Sequence, residues 1–167
     1  MLIYHRKTVC FSLLAFDMPF WAEIEASATL YQKDSQRFHL LLTEPLIDDA
    51  EDSSDDSTNA QAEPKTPRLL WFEISAHRVI MTMQGNGMYS YRHYWEQGIH
   101  GLSRYWLQSD RLTNDNYLTL RNYTRSLVLE EKTIDHERFP KHLRVEYELW
   151  ANTVPMGHYV LNLDIQD

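Results

Sequence analysis

An alternation of apolar and polar residues with a period of two runs through most of this chain. From 22 to 30 the even positions are Ala, Ile, Ala, Ala and Leu, and the odd positions between them are Glu, Glu, Ser and Thr. Successive side chains of a β-strand point to opposite faces, so this period is that of a strand with one buried face. The alternation therefore predicts strands for nearly all of the chain.

Further strands follow from the same pattern or from short apolar runs between turn residues. We predict them at 37–47, 69–75, 78–84, 88–95, 102–108, 117–123, 125–131, 143–150 and 158–165. Turn residues stand between them at 33–35, 76–77, 85–87, 113–116 and 155–157. The only short helical turns that we expect lie within 92–102 or 134–140.

The strand density predicts a mainly β fold with little helix. A length of 167 residues fits one domain, so we treat 1–167 as a single β domain. Roughly nine or ten strands in an open sheet would leave long unpaired edges. We therefore expect an antiparallel β-barrel or half-barrel.

The negative charge of the chain is concentrated in one run. The formal net charge is -8, and seven of the acidic residues lie between Asp48 and Glu63 without a basic residue among them. The run has no aromatic or large aliphatic side chain, so we predict that 48–67 is a disordered acidic loop between two strands. It is either a solvated spacer or a docking element for a basic partner. A nucleic-acid partner is unlikely, because binding by bulk charge needs clustered Lys and Arg.

The N-terminal segment holds an apolar run from Thr8 to Phe16 after a basic patch at 5–7. We interpret it as a first strand, with a weak export signal as the alternative. A cytoplasmic location is favoured, and a periplasmic or secreted one follows from the alternative. The run is too short for a membrane helix, so we do not expect an integral membrane protein.

Motifs for catalysis, cofactor binding or metal binding are absent from the sequence, so we predict no cofactor, no metal and no assigned catalytic residue. The chain has one cysteine, Cys10, which we interpret as a buried apolar side chain. Its eight histidines have no spacing that presets a metal site. A small barrel enzyme with His93 or His136 as its acid–base group remains a third hypothesis.

Aromatic and methionine side chains are the most informative candidates for function. Tyr and Trp join a large apolar face to a polar edge, and Met adapts to irregular apolar surfaces. Such residues fill cores, but they also line ligand cavities and interfaces. Base stacking by the aromatic and basic residues of 89–106 is a further possibility. The candidate ligand-binding residues are Trp71, Met81, Met83, Tyr91, Trp95, Tyr105 and Trp106.

The leading hypothesis is a non-enzymatic binding domain that holds a hydrophobic small molecule, lipid or acyl chain. The alternative is a protein–protein interaction module that uses the aromatic face or the acidic loop. In size and strand density the chain is similar to lipocalin-like barrels and to the half-barrels that carry lipoproteins between bacterial membranes. The Gly-x-Trp signature of lipocalins is absent, and Phe20-Trp21 is its nearest match. The sequence therefore assigns the chain to no family.

Overall fold

The computed structural model describes residues 4–17, 20–43, 69–85, 89–107 and 117–167. Within these ranges ten strands make up all of the regular structure, and there is no helix. The strands are β1 (Tyr4–Ala15), β2 (Phe20–Gln32), β3 (Phe38–Thr43), β4 (Leu69–Ile74), β5 (Arg78–Gln84), β6 (Tyr89–Glu96), β7 (His100–Leu107), β8 (Tyr117–Ile134), β9 (Glu137–Ala151) and β10 (Val154–Gln166).

The strands form a closed antiparallel barrel. Each strand pairs with its neighbours in the chain, and β1 pairs with β10 to close the sheet. Closure gives every strand two partners and removes the open edges of the sheet. The predicted barrel is confirmed. The candidate short helical turn, within 92–102 or 134–140, is not found, because those segments lie in β6 and β7 and in β8 and β9 with their turns.

The predicted alternation sets which side chains fill the barrel. The even positions of β2 share a face with the buried side chains of β1 and β3; for example, Leu30 pairs with Leu40 and is 1% exposed. Leu40 pairs in turn with Phe72, and Phe72 with Met81. Directly paired residues of antiparallel strands lie on the same face of the sheet, so these side chains form one continuous core.

The long strand β8 differs from the sequence prediction. We expected two strands, at 117–123 and 125–131, whereas the structure has one strand with a bulge at Arg125. The extra residue shifts the alternation by one position, and this shift mimics a break between strands. Gln97 bridges the bulge, because its amide donates to the carbonyl oxygen of Arg125 at 3.0 Å and accepts from the N–H of Leu127 at 2.6 Å.

Two of the predicted turn regions are also corrected. The β8–β9 hairpin turns tightly at Asp135 and His136, which both have positive φ angles as a type I′ turn requires. Strand β9 then continues through Pro140, which pairs with Glu131 at a second irregularity. The turn predicted at 155–157 is a bulge within β10, and the actual turn lies just before it, at 152–153.

Several sequence predictions fall outside the described residues. These are the acidic loop over 48–67, most of the hairpin turn at 85–87, and the turn at 113–116. The N-terminal apolar run is described, and it forms strand β1 of the barrel. The described residues contain no helix long and apolar enough to cross a membrane.

Candidate functional site

One end of the barrel interior is lined by a methionine and two tyrosines from three adjacent strands. Met83, Tyr91 and Tyr105 pair across β5, β6 and β7 and so form one row on the inner face. The next row inward consists of Met81, His93 and Ser103, which pair across the same three strands. Both methionines are buried, whereas both tyrosines are only partly buried.

The predicted ligand-binding residues divide between the two faces of the barrel wall. The structure brings Met81, Met83, Tyr91, Trp95 and Tyr105 together on the inner face. Trp71 and Trp106 are placed on the outer face, apart from the other five residues. Each of the two alternates with an inward neighbour, Phe72 and Tyr105 respectively, and Trp71 is 48% exposed.

Two further tyrosines complete the aromatic lining at this end. Tyr147 on β9 and Tyr159 on β10 are cross-strand partners, and their rings stack with centroids 5.4 Å apart. The rings of Tyr91 and Tyr105 lie 5.8 Å apart. We call Tyr91, Tyr105, Tyr147 and Tyr159 the tyrosine mouth. Tyr147 and Tyr159 were not among the residues predicted from the sequence, although both stand at apolar positions of alternating strands.

His93 lies beneath the tyrosine mouth and is 5% exposed. Its ring stacks on Trp95 at 5.1 Å between centroids, and the ring of Tyr147 lies 5.8 Å away. Burial lowers the pKa of His93 to about 3, because the charged imidazolium would lose its hydration. His93 is therefore neutral at physiological pH. The position of His93 between Tyr91 and Trp95 in β6 was the sequence signal for this interior placement.

Three buried side chains form a hydrogen-bond chain that starts at Asn122. The Asn122 side-chain amide donates to Ser103 Oγ at 2.9 Å, and Ser103 Oγ is 2.7 Å from His93 Nδ1. On the other side of the ring, His93 Nε2 is 3.4 Å from the hydroxyl of Tyr105. Ser103 and Asn122 are both 0% exposed. The sequence analysis missed both residues, because a polar residue at an inward position carries no distinct pattern.

The Ser103–His93 pair has the residue types of a nucleophile and its base. Ser103 is completely buried, so a substrate has no access to its hydroxyl. The low pKa of His93, which burial causes, also makes the imidazole a weak base. The geometry therefore fits a role of Ser103 in orienting the His93 ring better than it fits catalysis by this pair. The other histidine of the enzyme hypothesis, His136, is exposed in the β8–β9 turn.

The hydroxyls of three residues of the tyrosine mouth, Tyr105, Tyr147 and Tyr159, are neutral donors. Burial raises the pKa of Tyr105, Tyr147 and Tyr159 above the usual value for tyrosine. Nearby tyrosines add to this effect at Tyr105, and the carboxylate of Asp17 does so at Tyr159. Each hydroxyl keeps its proton, so the mouth combines apolar ring surface with hydrogen-bond donors.

Polar atoms near His93 remain without hydrogen-bond partners. They are the indole N–H of Trp95, the amide oxygen Oδ1 of Asn122 and the hydroxyl of Thr124. Buried polar groups are rarely left unmatched, since each costs about 1–3 kcal/mol. The interior around His93 therefore contains polar groups whose hydrogen-bonding capacity is not used within the described structure.

A separate apolar groove lies on the outer surface of β2, β3 and β4. It has a volume of about 350 Å³. The indole N–H of Trp71 donates to His39 Nδ1 at 3.1 Å on its wall. Among the described residues, no three His, Cys, Asp or Glu side chains cluster in a way that could hold a metal ion. The lining residues of the groove are Tyr31, Lys33, His39, Leu41 and Trp71.

The described strands form a closed, ten-stranded antiparallel β-barrel with partly buried tyrosines at one end of its interior. No protein-family model matches the chain, and no curated protein matches it. Among solved structures, the chain is similar to the crystal structure of the YwiB protein from Bacillus subtilis, with a TM-score of 0.58 and 10% sequence identity. The alignment covers 99% of this chain and 92% of YwiB. At this identity the likeness shows a shared barrel fold.

Proposed function

We propose that this protein is a non-enzymatic binding protein that holds a small hydrophobic molecule at the tyrosine mouth. The observation that supports this most is the difference between the two ends of the barrel. At the opposite end the side chains of Phe38 and Val79 fill the interior and are each 0% exposed. At the tyrosine mouth, Tyr91 and Tyr105 remain partly exposed although they point inward.

The chemistry of the mouth suits a ligand with an apolar body. Ring faces of Tyr91 and Tyr105 and the thioether of Met83 offer apolar contact, and burial of apolar surface contributes about 25 cal/mol per Å². Methionine adapts its shape to an occupant at small energetic cost. Four of the seven residues named from the sequence belong to this proposed site: Met81, Met83, Tyr91 and Tyr105. Trp95 pairs with Val79 at the opposite end of the barrel, and Trp71 and Trp106 lie on the outer face.

Fluorescence titration with N-phenyl-1-naphthylamine, an apolar dye, tests the proposal. We expect the wild type to bind the dye, and Tyr105→Leu to weaken binding at least severalfold by removing half of the inner aromatic pair. Trp71→Leu, on the outer face, is the matched control and should bind like the wild type. Equal binding by all three proteins, or loss of binding only in Trp71→Leu, would overturn the proposal.

A protein-interaction module is the second candidate, and the outer groove favours it. Trp71 is 48% exposed there beside Leu41 and Tyr31, and exposed aromatic residues are common anchors of interfaces. The acidic segment 48–67, predicted to be either a solvated spacer or a docking element, lies outside the described residues. Deletion of 48–67 separates the two candidates: dye binding at the tyrosine mouth should survive the deletion, whereas a complex that depends on the acidic segment should be lost.

A further inference from the structure

The hydrogen-bond chain beneath the tyrosine mouth has a direction that can be deduced from its donors. Asn122 donates an N–H to Ser103 Oγ, so the serine oxygen acts as an acceptor in that bond. The other partner of Ser103 Oγ is His93 Nδ1 at 2.7 Å. A buried hydroxyl is costly if its own proton is unused, and therefore Ser103 donates to His93 Nδ1.

The structure places the Asn122 amide with Nδ2 toward Ser103 Oγ, at 2.9 Å. This orientation uses one of the two N–H groups and leaves Oδ1 unmatched in a side chain that is 0% exposed. The reversed amide would accept from Ser103 through Oδ1 and leave both N–H groups unmatched. The direction of the chain therefore follows from the orientation that the amide has in the structure.

The direction of the chain fixes the tautomer of His93. A neutral imidazole carries one proton, and Nδ1 already accepts from Ser103. The proton is then on Nε2, which points to the hydroxyl oxygen of Tyr105 over 3.4 Å. Tyr105 accepts in this contact, so its own O–H is not consumed by His93 and is available to a molecule at the mouth.

We propose that the molecule bound at the tyrosine mouth carries an uncharged oxygen acceptor, such as a ketone or ester carbonyl, that accepts a hydrogen bond from Tyr105. This inference rests on the proposed function and narrows its ligand class. An anionic head group is disfavoured, because the described groups that act electrostatically on Tyr105 and Tyr159 are other tyrosines and one carboxylate, that of Asp17, and include no cation. A carboxylate taken from water without a cation loses hydration that nothing replaces.

Nitrogen NMR of the ¹⁵N-labelled protein tests the direction of the chain without any ligand. The His93 signals are assigned by comparison with His93→Gln. We expect a protonated Nε2 and an unprotonated Nδ1 near pH 7. A protonated Nδ1 would mean that Nε2 accepts from Tyr105, which consumes the hydroxyl proton and overturns the inference.

Competition of 2-octanone and n-octane against the bound dye tests the ligand class. The two probes have a similar apolar chain, and only the ketone has an acceptor. Tyr105→Phe should weaken 2-octanone binding about three- to tenfold, as expected for one hydrogen bond, and leave octane binding unchanged. Tyr31→Phe makes the same change on the outer face and should alter neither affinity.

The outcomes distinguish the two proposals. If the wild type binds neither probe nor the dye, the proposed function is wrong, and the inference fails with it. If the wild type binds both probes and Tyr105→Phe changes the two affinities equally or not at all, only the oxygen-acceptor inference is wrong. Tighter binding of decanoate than of 2-octanone by the wild type would likewise overturn the uncharged class.

Discussion

His93 and Ser103 lie directly opposite each other on β6 and β7, and their side chains are joined by a 2.7 Å hydrogen bond inside the barrel. The pair lies one row below Tyr91 and Tyr105 of the tyrosine mouth. Burial of the neutral imidazole ties the protonation of His93 to the stability of the fold.

Acid should destabilise the protein through His93. Burial disfavours the charge and lowers the pKa of His93 from the ordinary histidine value of 6.5 to about 3 in the folded state. Between these two values the unfolded chain binds the extra proton, so stability falls as the pH falls, by up to about 1.4 kcal/mol per pH unit. Urea unfolding at pH 4 to 6 should show this slope in the wild type and a smaller one in His93→Gln. Equal slopes would contradict the account.

Neighbouring residues of β4 should differ sharply in their contribution to stability. Phe72 is 0% exposed and packs in the core, whereas Trp71 is 48% exposed on the outer face. Phe72→Ala should lower the free energy of unfolding by about 3–5 kcal/mol, since it leaves a cavity. Trp71→Ala should cost less than about 1 kcal/mol. Chemical denaturation measures both losses. Similar losses would contradict the assignment of Phe72 to the inner face of β4 and Trp71 to the outer face.

Gly157 should be needed for the position of Tyr159. A Cβ atom added at 157 would overlap the ring of Tyr159, with the ring carbons Cε2 and Cζ only 2.6 Å away. Gly157→Ala should therefore move that ring and weaken dye binding at the mouth. Gly101→Ala is the control, because its Cβ would instead meet the backbone oxygen of Tyr94 at 2.7 Å. It should destabilise the barrel and leave the dye affinity of the folded protein unchanged.

Cys10 should react slowly with thiol reagents. Its thiol donates to Glu23 Oε1 at 3.1 Å, and this bond, with smaller contributions from burial and nearby carboxylates, raises the pKa of Cys10 to about 11. The reactive thiolate is then scarce at pH 8. Glu23→Gln removes the charge and should speed alkylation by iodoacetamide. Unchanged rates would show that Glu23 does not control the thiol.

Asp167 should stabilise the barrel by ion pairs with one lysine of β1 and one lysine of β8. Its carboxylate forms ion pairs with Lys7 of β1 and Lys132 of β8, and these hydrogen bonds lower the pKa of Asp167 to about 2. This contribution is present above the usual Asp pKa and is lost as the pH falls toward 2. Asp167→Asn should lower the melting temperature slightly at low salt, and 1 M NaCl should remove the difference. A difference that persists in 1 M NaCl would contradict this assignment.

The fold was predictable from sequence because alternation fixes both the strands and their inner face. Phe72, Met81 and Trp95 all face inward as their phase predicts. The site was only partly predictable. Trp71 and Trp106 were chosen for their residue type, although their phase places them on the outer face.

Other features depend on pairing that no single segment reveals. Asn122 belongs to the site because β8 places it beside Gly101 and within reach of Ser103. The bulge at Arg125 was misread as a strand break, since an extra residue and a turn disturb the alternation in the same way. Interior polar networks and bulges could therefore be recognised only from the pairing of the strands in the structure.

Native mass spectrometry of the gently purified protein tests the central claim most directly. The account predicts that the wild type, of 19.9 kDa, carries a small uncharged molecule or takes up one equivalent of added 2-octanone. Tyr105→Leu should lose this species, and Trp71→Leu should keep it. A wild type that shows only its bare mass, with and without the ketone, would contradict a ligand-binding role for the tyrosine mouth.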